Sequence, residues 1–70
     1  MMTAKQREIY EYIKKYIDQQ GFPPSRQDIA GWLGVYPNAV QDQLKAIQKK
    51  GYIEITAGIS RGIRLTRRSK

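Results

Sequence analysis

Apolar positions along the chain change their spacing at Phe22, Gly34 and Gly51, dividing it into three helical stretches and a hairpin. Ile9, Tyr10, Ile13, Tyr16 and Ile17 recur at the spacing that lines one face of a helix. Thr3-Ala4-Lys5-Gln6 precedes them as a capping box, in which the Thr3 hydroxyl accepts from the Gln6 N–H and the Gln6 side chain reaches back. A first helix is therefore predicted from about Ala4 to Gln20, closed by Gly21 in the left-handed position. Lys5, Glu8, Glu11, Lys15 and Asp18 fall on its opposite face as exposed, mixed charge. Phe22-Pro23-Pro24 cannot continue a helix, because each proline drives its predecessor into an extended conformation. Ser25, with Asp28 as box partner, then caps a brief second helix from Arg26 to Leu33, with Ile29, Ala30 and Leu33 inward.

A third helix opens at Pro37, a residue tolerated at the first helical position, where its missing N–H would have no partner. Val40, Leu44 and Ile47 form its apolar stripe, leaving Asn38, Gln41, Asp42, Lys45 and Gln48 on other faces. Two helices joined by a turn of about three residues containing glycine, here Gly34-Val35-Tyr36, make a helix-turn-helix pattern. In that motif the second helix enters the DNA major groove with its N-terminal residues at base edges. Asparagine and glutamine pair with adenine, and a carboxylate accepts from the cytosine amino group. The third helix is accordingly read as a recognition helix, against the plainer reading of a helical hairpin with a solvated polar face. Tyr36 stands where a Ser or Asp cap is expected and caps poorly. Two readings of it stay open: a phenol reaching a phosphate or base edge, or a ring packed on its neighbours.

After Gly51 the period becomes alternating. Ile53 and Ile55 oppose Glu54 and Thr56, and Ile63 and Leu65 oppose Arg64 and Thr66, around a Gly-containing loop that carries Arg61. This is a β-hairpin, and directly after a helix-turn-helix it is a wing. The predicted fold is mainly α with a small β-hairpin, a winged helix-turn-helix of three helices and a two-stranded antiparallel wing over 1–66, followed by a basic tail at 67–70. Arg61 and Arg64 place cations on the wing for the DNA backbone or minor groove. Arg26, in the first turn of the second helix, is a phosphate candidate or a plain surface arginine. Tyr10, Tyr12 and Tyr16 read as core or half-buried packing and Trp32 as a core-edge residue, with stacking or partner contacts as the sharper alternatives.

Composition narrows the chemistry. The 70 residues include no cysteine and no histidine, removing disulfides, thiolate metal sites and the commonest general base. No carboxylate pair in a cleft and no Gly-rich phosphate loop is evident, so neither an enzyme nor a cofactor, metal or small-molecule substrate is expected. The net charge is +7, which favours a polyanionic partner. The excess grows along the chain, from +1 over 1–20 to +2 over 21–50 and +4 over 51–70. No apolar run has the length of a membrane span and the N-terminus lacks a secretory pattern. A cytoplasmic, nucleoid-associated protein with no membrane partner is the expectation.

Several segments carry a family resemblance from about Thr3 to Leu65. They are Gly21-Phe22-Pro23-Pro24-Ser25-Arg26, Pro37-Asn38-Ala39, Leu44-Lys45-Ala46, Lys50-Gly51-Tyr52-Ile53-Glu54-Ile55 and Ser60-Arg61-Gly62-Ile63-Arg64-Leu65. Together they resemble the N-terminal DNA-binding domain of the LexA family, repressors of the bacterial SOS regulon. In the family a Ser-Pro-Asn-Ala segment opens the recognition helix and two glutamates follow on its DNA-facing side. The matching positions here are Asn38 and Ala39, with Gln41 and Asp42 in place of the glutamates; the turn is one residue shorter and Tyr36 replaces the serine. A glutamine where the family has an acceptor-only group redirects readout from cytosine towards adenine, so the family's operator is not assumed. The family's second domain, with its Ser-Lys self-cleavage dyad and most of the dimer contacts, has no counterpart in these residues. The basic end at 67–70 suggests a free-standing protein of phage or plasmid type rather than an excised domain.

These readings converge on a transcriptional regulator, a repressor by resemblance, whose partner is double-stranded DNA. Asn38, Ala39, Gln41 and Asp42 are the candidates for the major groove, and Arg26, Tyr36, Lys45, Arg61 and Arg64 for phosphates or the minor groove. A homodimer on an inverted repeat is a further expectation. The competing reading is a protein-interaction winged helix that binds another regulator or polymerase.

Overall fold

The computed structural model describes residues 2–59 and 61–66; the basic tail expected at 67–70 lies outside them. The order is α1 (Ala4–Gln20), α2 (Arg26–Leu33), α3 (Pro37–Lys49), β1 (Ile53–Ile55) and β2 (Ile63–Leu65). The two strands pair antiparallel, with Ile53 opposite Leu65, Glu54 opposite Arg64 and Ile55 opposite Ile63. The architecture is a winged helix-turn-helix, as the apolar spacing predicts.

The helix ends follow the local chemistry. Thr3 Oγ1 accepts from the Gln6 N–H at 3.2 Å while Gln6 Oε1 accepts from the Thr3 N–H at 3.1 Å. Ser25 and Asp28 reproduce that reciprocity at α2, with both bonds at 3.1 Å. Gly34 closes α2 in the left-handed region at φ 76°, its N–H donating to the Ala30 carbonyl at 2.8 Å, a conformation that other residues adopt only with strain. Val35 and Tyr36 then lead to Pro37 and the helix-turn-helix is complete.

One core gathers every element. Ile9, Tyr10 and Ile13 of α1, Ile29 and Ala30 of α2, Val40, Leu44 and Ile47 of α3, and Ile53 and Ile63 of the wing are all buried. Ala30 of α2 is buried in the core, as its small side chain allows. Tyr12, Ile17, Leu33, Ile55 and Leu65 pack half-buried against this cluster. Pro24 is also fully buried, so the stiff connector contributes to the interior as well as breaking the helix. At the far end, Lys50 Nζ donates to Gln6 Oε1 at 2.7 Å, tying the end of α3 to the start of α1.

Candidate nucleic-acid interface

Burying Val40, Leu44 and Ile47 fixes the rotation of α3, so Asn38, Ala39, Asp42 and Lys45 are exposed and Gln41 half-buried. Tyr36 precedes them with an extended backbone (φ −79°, ψ 153°), makes no side-chain cap bond and is 84% exposed. Between the two readings of this tyrosine, burial against neighbours is therefore excluded. Its phenol projects from the tip of the helix.

α2 contributes Arg26, whose Nη1 donates to Gln41 Oε1 at 2.8 Å. Arg26 lies between two depressions. One is shared with Pro37 and Asn38, the other with Gln41 and the wing residues Thr56 to Ile59. Because its partner is a neutral amide, no acid among the described residues answers the charge of Arg26 beside the helix. Lys45 forms no ion pair among the described residues.

The wing behaves differently. Arg64 faces Glu54 across the strands and donates through Nη2 to both of its carboxylate oxygens, at 3.0 and 3.1 Å. Both side chains are largely exposed, and such pairs are weak enough for a phosphate to compete. Arg61, expected to reach the DNA from the wing loop, folds back against the body. Its Nη1 stands 3.0 Å from Asp28 Oδ2, donates to the Pro23 carbonyl at 2.9 Å and reaches the Tyr16 hydroxyl at 3.4 Å. Its guanidinium also covers the Phe22 ring, 4.9 Å from the centroid. The Asp28 carboxyl is held below the ordinary carboxylate range, chiefly by the Ser25 backbone N–H. Burial opposes that shift, and the Ser25 side chain and Arg61 add to it. The Arg61 guanidinium is pushed further up, first by its bond to Tyr16.

Phe22 anchors one end of an aromatic run. Tyr16 meets Phe22 edge-on at 5.9 Å, Tyr12 lies 5.9 Å from Tyr16, and Trp32 stacks on Tyr12 at 4.3 Å and 12°. Tyr10 is buried and Tyr12 and Tyr16 half-buried, in keeping with packing roles. Trp32 is more open than a core-edge residue, at 45% exposed.

Sequence reasoning placed Arg26 and Gln41 in separate roles and missed their bond. Their positions in the opening turns of two helices that must pack together carried the signal. It also missed Ile59, an apolar side chain 59% exposed on the wing loop beside Gln41.

The model of the LexA DNA binding domain matches residues 1–62, almost the whole chain. The chain belongs to the LexA DNA-binding domain family. Similar curated proteins include the LexA repressors of Edwardsiella ictaluri, 52% identical over 65 residues, and Photorhabdus laumondii, 51% identical over the same length. The LexA repressor of Glaesserella parasuis is 49% identical. Each alignment covers 91% of this chain and 31–32% of the relative. The chain thus spans about a third of the length of the curated relatives it matches. Among the described residues no helix is long and apolar enough to cross a membrane, and no cluster of metal-ligating side chains forms.

Proposed function

We infer that this LexA-family domain binds double-stranded DNA sequence-specifically and acts in transcriptional repression. The observation that carries the reading is the division of α3. One face is locked into the core by Val40, Leu44 and Ile47, while the other offers Asn38, Ala39, Gln41 and Asp42 beside the uncompensated cations Arg26 and Lys45. A helix held this way can enter the major groove without unfolding any packing. Asn38, Gln41 and Asp42 supply base-edge donors and acceptors, and Ala39 permits close approach or an apolar contact with a thymine methyl.

Around that helix, Tyr36 and Lys45 hold phosphates, Arg26 stands beside Gln41, and the wing approaches the flanking backbone through Arg64 once Glu54 releases it. Arg61 serves the interface by fixing the wing loop, with the exposed part of its guanidinium as the only share left for DNA. Two copies on an inverted repeat would place their recognition helices about one helical turn apart, ~34 Å. SOS regulation and dimer formation belong to this proposal through the repressors the chain resembles.

Selection from randomised duplexes at two salt concentrations tests it. An enriched inverted repeat, or a single half-site for a monomeric reader, is the expected outcome. Binding without any motif that disappears at the higher salt would leave charge alone, and the reading would fail.

A further inference from the structure

The bond between Arg26 and Gln41 sets the hydrogen-bond polarity of the recognition helix. A guanidinium has donors and no acceptor, so the group facing Arg26 Nη1 at 2.8 Å is necessarily the carboxamide oxygen of Gln41. The Gln41 amino group makes no hydrogen bond with any described residue. It is the part of the side chain left to bind. We propose that Arg26 fixes Gln41 as a donor, so that this position reads guanine, and that Arg26 is thereby a specificity-positioning residue. The inference rests on the DNA-binding reading above.

The major-groove edge of guanine carries the acceptors N7 and O6, whereas adenine sets its N6 amino donor beside N7 and cytosine presents a donor alone. A free glutamine pairs with adenine by accepting from N6 and donating to N7. Here the accepting atom is already engaged by a cation, whose charge opposes a second donor arriving at the same oxygen. Guanine meets neither obstacle, and it offers two acceptors where thymine offers one. Its acceptors N7 and O6 both suit the Gln41 amino group, and it presents no donor to the engaged oxygen. A glutamate at this position would present only acceptors to the groove. The glutamine therefore reverses the polarity of the contact, and the adenine reading suggested by the sequence alone gives way to guanine.

The experiment is randomised-duplex selection with the 70-residue chain and with Arg26→Ala, Gln41→Ala and Gln41→Glu, each checked for folding by its thermal melt. The base pair whose preference collapses in Gln41→Ala identifies the position read. The unmodified chain should select guanine there over adenine by about tenfold or more. Arg26→Ala should erase that ratio or turn it towards adenine while sparing the preferences elsewhere in the motif, and Gln41→Glu should select cytosine. Adenine selected by the unmodified chain would overturn the inference and leave the DNA-binding reading standing. Weakening by Arg26→Ala that is uniform across the motif would also overturn it, reducing Arg26 to a phosphate contact. Absence of any motif would defeat the parent reading and this one with it.

Discussion

Arg61 Nη1 lies 3.0 Å from Asp28 Oδ2, closing the loop of the wing onto the acid that caps α2. The same oxygen accepts from the Ser25 N–H at 3.1 Å and the Tyr16 hydroxyl at 3.4 Å. One carboxylate thus joins α1, the start of α2 and the wing. Arg61→Ala should free the loop without disturbing the helices. Faster amide exchange at Thr56 and Gly62, whose N–H groups bond to the carbonyls of Gly62 and Ile59, would report it, with a melting temperature lower by a few degrees. Unchanged exchange at both amides would show that the ion pair does not hold the wing.

Asp28 also predicts a pH dependence. Its carboxyl titrates below its ordinary value because Ser25, first through its backbone N–H, and Arg61 favour the charged form. The stability this contributes is fully present above the unfolded-state value of about 3.9 and is lost as pH falls through the lower folded-state value. The melting temperature should therefore decline on acidification below about pH 4. In Asp28→Asn the part of that decline owed to this residue should vanish, on a scale already lowered at neutral pH. An identical acid slope in both proteins would count against the assignment.

Gly62 is required by close approach. A Cβ there would come within 2.7 Å of the Thr56 carbonyl oxygen and 3.1 Å of the Ile59 carbonyl oxygen. Both atoms are backbone and cannot turn aside, so Gly62→Ala should cost about 1–3 kcal/mol as the loop shifts. A denaturant midpoint unmoved by the substitution would refute this.

The proposed role of Tyr36 sets stability against function. Tyr36→Ser supplies the missing side-chain cap of α3 and should raise stability by about 1 kcal/mol. It also removes the phenol that projects from the helix tip, so DNA binding should weaken while the protein becomes more stable. Gain on both counts would mean that the phenol gives DNA binding nothing that a serine does not replace.

Substitutions at Asn38 and Lys45 test whether reading and holding fall to different residues. Asn38→Ala should relax preference at one base position by about 1–3 kcal/mol. Lys45→Ala should weaken binding evenly across sequences and reduce the slope of log K against log salt by about 1. Binding isotherms on matched and mismatched duplexes at several salt concentrations resolve the two patterns.

The fold was legible because its signals are local. The capping boxes at Thr3 and Ser25, the Pro37 start and the alternation around Ile53 and Ile63 each depend on neighbours within a few residues. The exposed face of α3 followed once Val40, Leu44 and Ile47 were assigned to the core. What spacing could not supply was the partner of a long flexible side chain. Arg61 looked like a free cation because Asp28 and Tyr16 are remote in sequence, and Asp28 already had a task as a cap. The wing loop and Arg64 likewise look more strongly cationic in the sequence than in the fold, where Asp28 and Glu54 answer their charges. Pro24 read only as a breaker because its burial depends on the packing of the surrounding helices.

The stacking of Trp32 on Tyr12 gives the domain an optical reporter of its own. Trp32 is the single tryptophan in the chain, and its ring lies nearly parallel to a phenol on α1, 4.3 Å between centroids. Its fluorescence therefore follows the contact of α2 with α1 rather than an average over several indoles. Separation of those helices changes the emission at once, and no dye or engineered label is needed to time the folding of the scaffold that carries the recognition helix.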